Sequence, residues 1–321
     1  MPIERADPVM AVVGSLNIDL VTYAPRMPGA GETVLGDRFV MGFGGKGANQ
    51  AVMAARLGAR VSMVGALGDD VYAGMTVDNL IAQGVDAAHV ARVAGSSGVA
   101  PIWVEPDGTN RIIVVGGAND AVDPASAASA IGSLGELHVV IGQLEIPQPA
   151  TAAAFRAARR RGIRTILNPA PAAPLSRDLL EASDFLIPNE HELGIVAGID
   201  APDLDDDALL IRIGRTLGTR LVVTLGARGA AIEADGVIRR VPADRVTAVD
   251  TAGAGDAFVG AFAYGLAAGL DELTAVRLGV ACASDSVTRH GTQSSFASRD
   301  GAGDILGNVL ATSQSWRRAM G

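Results

Sequence analysis

The sequence predicts an α/β fold, in which a mostly parallel central sheet carries helices on both faces. Two observations lead there. Strand-length apolar runs alternate with helix-length segments over most of the chain, and two stretches leave that alternation as extended segments with no helix inside them. Val9 to Gly14 reads as the opening strand, and Gly45 to Leu57 as a helix stopped by Gly58. Arg60 to Ala66 is the next strand; after the turn Gly68-Asp69-Asp70 comes a helix over Val71 to Gln83. The rhythm continues through strand His138 to Gln143, helix Thr151 to Arg161, and strands Arg164 to Leu167 and Asp184 to Pro188. Helix Leu204 to Leu217, strand Arg220 to Leu225 and a hairpin over Ala230 to Pro242, turning at Asp235-Gly236, complete it.

The two exceptional stretches, about residues 16–43 and 98–118, each leave the α/β body and return to it. The second contains a Pro106-Asp107-Gly108-Thr109 turn between apolar runs. Together they are expected to form a small separate sheet, a lid over the strand ends where open α/β sheets place ligands. The whole chain, 1–321, is read as a single domain bearing this lid.

Composition excludes several classes. With 321 residues, 49% hydrophobic and 19% charged, the chain can bury a core and is neither disordered nor fibrous. A formal charge of -9 argues against a nucleic-acid partner, because duplex binding neutralises phosphates with Lys and Arg. Cys282 is the sole cysteine, so an internal disulfide or a Cys-based zinc site is impossible. The first residues lack a cationic segment followed by a long apolar one, and the longest apolar run, Ala257 to Ala268, is too short to span a bilayer. The expectation is an unprocessed cytoplasmic protein without membrane attachment.

Of 26 basic residues, Lys46 is the only lysine, and it sits within Gly42-Phe43-Gly44-Gly45-Lys46-Gly47-Ala48-Asn49. A compact ammonium kept inside a Gly-rich loop, in a chain that otherwise uses Arg, points to close contact with oxygen atoms. The loop matches a dinucleotide-binding fingerprint by letter, but that fingerprint belongs directly after the first strand, and about thirty residues intervene here. It also fails as a Walker A loop, since Gly47 stands where Ser or Thr should follow the lysine.

Asp250-Thr251-Ala252-Gly253-Ala254-Gly255-Asp256 leads directly into the apolar segment that begins at Ala257. If that segment is a buried helix, Gly253, Ala254 and Gly255 present free N–H groups and the positive end of its dipole, which together cradle an anion. Asp256 beside the cradle can take a proton from an attacking hydroxyl; a simple helix cap is the plainer alternative. Asn17 and Asp19 share one face of an extended segment and could grip vicinal hydroxyls. Glu145 falls at the C-terminal edge of a strand, on the ligand side of the sheet.

Asn189 and Glu192 stand one turn apart at a helix start, where they offer oxygen ligands suited to hydrated Mg²⁺ or form an ordinary capping box. Thr224 to Gly229 is a strand followed by a Gly turn that either admits a phosphate or merely reverses the chain. The four histidines share no spacing and receive no role.

These motifs in combination resemble the ribokinase branch of the PfkB-type carbohydrate kinases, from Val12 to about Ser295. Gly44-Gly45-Lys46-Gly47-Ala48-Asn49 and Asp250 to Asp256 correspond to the two family signatures; Gly14 to Asp19 and Pro188 to Glu192 match further family motifs. The resemblance implies a ribokinase-like fold and ATP-dependent phosphorylation of a sugar's primary hydroxyl, with Asp256 as base and Gly253, Ala254 and Gly255 as anion hole. It assigns Asn17, Asp19, Gly45, Lys46, Asn49 and Glu145 to the sugar, and Asn189 and Glu192 to the Mg²⁺ and phosphate region. Asn189, Thr224, Gly226 and Gly229 fall to the nucleotide.

The resemblance further implies a K⁺ site around Asp250, Ala252, Ser286, Gly291 and Ser295, and a homodimer formed through the lid, covering Val99, Ile102 and Trp103. It does not reach the tail from Arg299. Ribose is the expected acceptor. A nucleoside would call for aromatic stacking in the lid, for which Phe43 and Trp103 are the available candidates. A catalytically inactive sugar-binding regulator is a further alternative: it would keep Asn17 and Asp19 without needing Asp256.

Overall fold

The computed structural model describes residues 7–320, with side chains through residue 313. The first six residues, which bear on the expectation of an unprocessed N-terminus, lie outside the described part.

The chain opens with β1 (Val9–Val13), β2 (Asn17–Tyr23) and β3 (Arg38–Gly44), then α1 (Lys46–Arg56), β4 (Arg60–Leu67), α2 (Val71–Ala82) and β5 (Val85–Arg92). It continues through β6 (Gly98–Val104), β7 (Asn110–Ile112), α3 (Pro124–Ser133), β8 (Val139–Gly142), α4 (Gln148–Arg160), β9 (Arg164–Leu167), α5 (Arg177–Glu181), β10 (Phe185–Leu186) and α6 (Glu190–Ala197). The remainder is α7 (Asp207–Leu217), β11 (Arg220–Thr224), β12 (Ala230–Ala234), β13 (Val237–Val241), α8 (Ala254–Ala267), α9 (Glu272–Ser286) and α10 (Arg299–Met320).

Nine strands form the main sheet in the order β13-β12-β11-β10-β9-β8-β1-β4-β5, antiparallel only where β12 and β13 join its end. Alternation along β1 sends Met10 and Val12 to one face and Ala11 and Val13 to the other. The first face packs against α1, α2 and α8 to α10, and the second against α3 to α7. The chain leaves β1 toward β4 on one side and later returns as β8 on the other. A crevice therefore opens at the C-terminal ends of β1 and β8, the switch point at which open sheets bind ligands.

The extended stretches form a separate four-stranded sheet, β3-β2-β6-β7. Its register places Asn17 and Asp19 on the same face as Gly42, Gly44, Gly98 and Ala100, their cross-strand partners. The residues beside the two polar side chains are thus small. Phe43 pairs with Ile18 and Trp103 with Thr22, so both aromatic candidates lie on the opposite face. The same alternation separates Val99 and Trp103 from Ile102, which shares the Asn17 face. The expected docking trio therefore does not form one surface.

Local chemistry moved several boundaries. The helix expected from Leu204 begins at Asp207, because the Asp206 side chain accepts from the Leu209 N–H and caps it there. The buried helix starts at Ala254, three residues earlier than its apolar pattern, because Gly253 takes a left-handed conformation (φ 76) that admits the chain to the first turn. The segment expected as strand over Asp184 to Pro188 contracts to Phe185–Leu186, while Pro188, lacking an N–H, cannot extend the ladder. The helices α3, α5 and α10 had no counterpart in the sequence reading, and two further main-sheet neighbours were not apparent either. One is β5, an edge strand with a mixed, partly exposed pattern, and the other is α9.

The glycines of α8 and α2 make opposite demands. A Cβ at Gly260 would sit 2.6 Å from the Gln50 carbonyl of α1, whereas at Gly74 it would meet nothing within 4 Å. Helix propensity favours Ala at both sites by about 1 kcal/mol, but overpacking against backbone costs about 1–3 kcal/mol. Gly74→Ala is therefore expected to raise the denaturant midpoint and Gly260→Ala to lower it. Equal shifts in the two variants would contradict the close α1–α8 contact.

Candidate active site

The loop from Gly45 into α1 lies against the end of β1. Gly45 has φ 87, and a Cβ there would fall 2.7 Å from the Asn17 N atom. Gly47 is equally confined, with a would-be Cβ 2.6 Å from the Ser15 N atom. Such close backbone approach explains the glycines around Lys46 without appeal to a nucleotide. The main-chain N–H of Lys46 donates to Glu145 Oε2 at 2.9 Å, and Ser15 Oγ donates to the same oxygen at 2.5 Å.

Lys46 and Asp256 line one cavity of about 210 Å³, together with Asn168, Asn189, Glu192, Thr224, Gly253 and Gly255. The N-terminus of α8 opens into it. Gly253 and Gly255 line the cavity, but the Ala254 N–H turns back to the Thr251 carbonyl at 3.3 Å. The expected three-residue cradle is thus built mainly from the two glycines. Asp256 is buried; its Oδ2 accepts from Asn49 Nδ2 and its Oδ1 from Gln50 Nε2, both at 2.9 Å.

A second cavity of about 390 Å³ is lined by Asn17, Asn119, Asp120, Glu145, Ile146 and Pro171, among others. The bond from Lys46 to Glu145 links a residue of the first lining to one of the second. Asn17 Oδ1 accepts from Asn119 Nδ2 at 2.7 Å, and Asn119 is anchored by the Leu16 N–H at 2.9 Å. Asp19 Oδ2 accepts from Thr292 Oγ1 at 3.2 Å. Burial, opposed by the Thr292 hydrogen bond and reinforced by Glu145 and Asp256, pushes the Asp19 carboxyl up to about 6. Burial pulls the Lys46 ammonium down, but Asp256, Glu145 and Glu192 together outweigh it and raise the group above its ordinary value.

Asn189 and Glu192 form a full capping box. Asn189 Oδ1 accepts from the Glu192 N–H, and Glu192 Oε2 accepts from the Asn189 N–H, both at 2.8 Å. Both side chains nevertheless border the Lys46 cavity, and burial raises the Glu192 carboxyl, with the Asn189 N–H and Lys46 opposing. Thr224 borders it too. Gly226 and Gly229 lie outside its lining; a Cβ at Gly229 would overlap the Val241 carbonyl at 1.9 Å, so this glycine is required by the turn itself.

Asp250 joins the remaining segments: its Oδ1 accepts from the Ala252 N–H and its Oδ2 from the Gly291 N–H, each at 2.9 Å. Ser286 and Ser295 are buried, with hydroxyls donating to the Ala283 and Thr292 carbonyls. Among the described residues, no group of three or more His, Cys, Asp or Glu side chains is placed to hold a metal.

Ser15, Gln50, Asn119, Asn168, Thr292 and Gln293 escaped the sequence reading. Only Gln50 left a signal, as an amide beside Asn49 at the start of an Ala-, Val- and Met-rich run of the helix.

A carboxylate, an ammonium and a glycine-lined helix N-terminus around one cavity, beside a second cavity rich in polar groups, define a site suited to group transfer between an alcohol and a phosphate ester. Comparison with known proteins agrees. Residues 8–299 match the model of the pfkB family carbohydrate kinases, and the chain belongs to that family. It is 40% identical over 292 residues to a deoxyribokinase of Salmonella typhi, covering 90% of this chain and 95% of that one. To a ribokinase of Bacillus subtilis it is 40% identical over 299 residues, covering 92% and 99%. The structure of Arabidopsis thaliana ribokinase complexed with ribose and ATP superposes with a TM-score of 0.85 at 30% identity, covering 94% of this chain and 99% of that one.

The burial of Asp19 has a measurable consequence. Its carboxyl is protonated below about pH 6 and ionised above, so an NMR titration of the ligand-free protein is expected to show a carboxyl midpoint near 6 that disappears in Asp19→Asn. A midpoint near that of a free aspartate would show that the group is solvated.

Proposed function

We propose that this protein transfers the γ-phosphate of ATP to the primary hydroxyl of a pentose, with ribose as the preferred acceptor. One observation carries the reading: Asp256 and the Gly253–Gly255 turn line a single cavity with Lys46, whose N–H bonds Glu145 in the lining of the Asn17 cavity.

In this reading the pentose lies along Asn17, Asp19, Gly45, Asn49 and Glu145. Asp19 above pH 6 accepts from two adjacent hydroxyls, and Asn17, its oxygen already taken by Asn119, offers its N–H groups. The primary hydroxyl reaches Asp256, which takes its proton as the oxygen attacks the γ-phosphorus. A new P–O bond forms, the bond to the β-phosphate oxygen breaks, and ADP leaves. The Gly253 and Gly255 N–H groups, with the dipole of α8 behind them and Lys46 opposite, stabilise charge on the transferring phosphoryl group.

Asn189 and Thr224 are assigned to the nucleotide side. Gly226 and Gly229 are assigned there only as shapers of the turn. Glu192 fits a hydrated Mg²⁺, since its carboxylate keeps lone pairs beyond the capping box with which to hold metal-bound water. Mg²⁺ bound there would neutralise phosphate charge. The hard-oxygen set of Asp250, Ser286, Ser295 and the carbonyls of residues 252 and 291 fits K⁺, which would brace the turn that carries Gly253.

We read the chain as one domain with the small sheet as its lid, closing to exclude water from the phosphoryl group. The outer face of that sheet carries Phe39 and Met41, which are 62% and 37% exposed, alongside Leu20 and Trp103. This surface supports a homodimer through the lid. Among the described residues no helix is long and apolar enough to cross a membrane, which suits the cytoplasmic location we assign. Ribose is favoured over a nucleoside because the lid presents small residues beside Asn17 and Asp19 and turns Phe43 and Trp103 away. It is favoured over deoxyribose because the Asn17–Asp19 pair suits vicinal hydroxyls.

An ADP-release screen of ribose, deoxyribose, hexoses and nucleosides with ATP and Mg²⁺, with and without K⁺, tests the assignment. Ribose is expected to give the highest kcat/KM, and K⁺ to raise turnover; no response to any acceptor would overturn the kinase reading. Asp256→Asn is expected to lower kcat roughly 10²-fold or more while calorimetric ribose affinity stays near that of the parent. Ribose affinity in the parent should weaken about tenfold from pH 7 to pH 5 as Asp19 is protonated, and not in Asp19→Asn.

A further inference from the structure

Six amide side chains converge on Asp256 from two directions. On one side, Gln143 Nε2 donates to Gln50 Oε1 at 2.6 Å, and Gln50 Nε2 donates both to Asp256 Oδ1 at 2.9 Å and to Asn168 Oδ1 at 3.1 Å. Asn168 Nδ2 in turn donates to the Ile187 carbonyl at 2.9 Å. On the other side, Asn79 Nδ2 donates to Gln293 Oε1 at 3.0 Å, Gln293 Nε2 to Asn49 Oδ1 at 3.1 Å, and Asn49 Nδ2 to Asp256 Oδ2 at 2.9 Å. Gln50, Gln143, Asn49, Asn168 and Gln293 are all buried.

The polarity of the first chain is determined at its far end. The Ile187 carbonyl can only accept, so Asn168 must present its oxygen to Gln50, and Gln50 must then turn its NH₂ toward both Asn168 and Asp256. A flipped Gln50 would set its oxygen against a carboxylate and a carbonyl oxygen, and its NH₂ against that of Gln143. Gln143 Oε1 has no hydrogen-bond partner, although it is buried. Leaving that acceptor unmet is unfavourable, yet the orientation keeps a donor on Gln50. Each carboxylate oxygen of Asp256 thus receives one amide N–H from α1, and rotation about its side chain is blocked from both sides.

We infer that Gln50 is a positioning residue for Asp256: with its relay to Gln143 and Asn168, it holds the carboxylate in the one rotation at which an unshared lone pair meets the acceptor hydroxyl. The inference rests on the assignment of Asp256 as base. Gln50 itself lines neither cavity. Its loss acts on the chemical step and leaves sugar affinity in place. Asn49 differs, because it stands both in the relay and among the sugar-binding residues.

The experiment compares the parent with Gln50→Leu, Gln50→Glu and Gln143→Leu, using the sugar that gives the parent its highest turnover. Steady-state kinetics, calorimetric sugar binding and the pH dependence of kcat are measured for each. Gln50→Leu is expected to lower kcat about 10- to 100-fold per correctly folded molecule, counted by calorimetric stoichiometry, with sugar affinity within about threefold of the parent. Gln50→Glu sets a second carboxylate against Asp256, and the pair must share a proton, so the acid limb of the pH profile should move upward by about one unit or more.

Gln143→Leu removes the donor that anchors Gln50 Oε1, loosening Gln50 without reversing it, and should give an intermediate loss of kcat. Should Gln50→Leu not fold, Gln50→Glu and Gln143→Leu decide the matter. Parent-like kcat and pH profiles in the folded variants, or losses confined to KM, would overturn the inference while leaving the kinase assignment intact. A parent without sugar-dependent ADP release would overturn the kinase assignment itself.

Discussion

A carboxylate buried at the start of an apolar helix is unfavourable unless donors and positive charge surround it, and the arrangement of this protein follows from meeting that requirement at Asp256. Asn49 and Gln50 supply N–H groups from α1, Lys46 supplies charge from the same helix start, and the dipole of α8 supplies the rest. All the side-chain groups come from one short stretch, so α1 and α8 must lie nearly in contact. Gly260 makes this possible by letting the Gln50 carbonyl approach where any side chain would intrude.

That closeness connects the fold to the chemistry. The loop before α1 lies on the end of β1 because Gly45 and Gly47 remove the side chains that would hold it off. It thereby delivers the Lys46 N–H to Glu145 at the end of β8, across the switch point of the sheet. The segment Gly291 to Gln293 closes the site from the far side. Within three residues it bonds Asp250, Asp19 and Asn49, so the turn beneath the two glycines, the buried carboxyl of Asp19 and the amide relay are tied to a single loop.

Much of this was legible in the chain. The βαβ rhythm, the extended excursions and the Gly-rich turns flanking Lys46 and Asp256 are local patterns, set by side-chain period and backbone freedom, and they survive without tertiary context. Gln293, Thr292 and Asn119 carried no such mark, because an amide or hydroxyl in a loop looks the same whether it faces solvent or completes a buried network. Gln50 stood out only as a polar residue directly before the apolar run Ala51 to Ala55 of its helix. Boundaries moved where capping overrode hydrophobic pattern, as at Asp206 and Gly253.

The sequence by itself determined the architecture and the two places where chemistry could reside, since period, glycine placement and one lysine among arginines are properties of neighbouring residues. The tertiary structure alone decided that these places share a cavity, that Ala254 turns its N–H away from it, and that Phe43 and Trp103 point away from Asn17 and Asp19. The physical reason is distance along the chain. Asn49 and Asp256 are separated by 207 positions, and no local rule specifies which amide will face which oxygen once sheets and helices have packed.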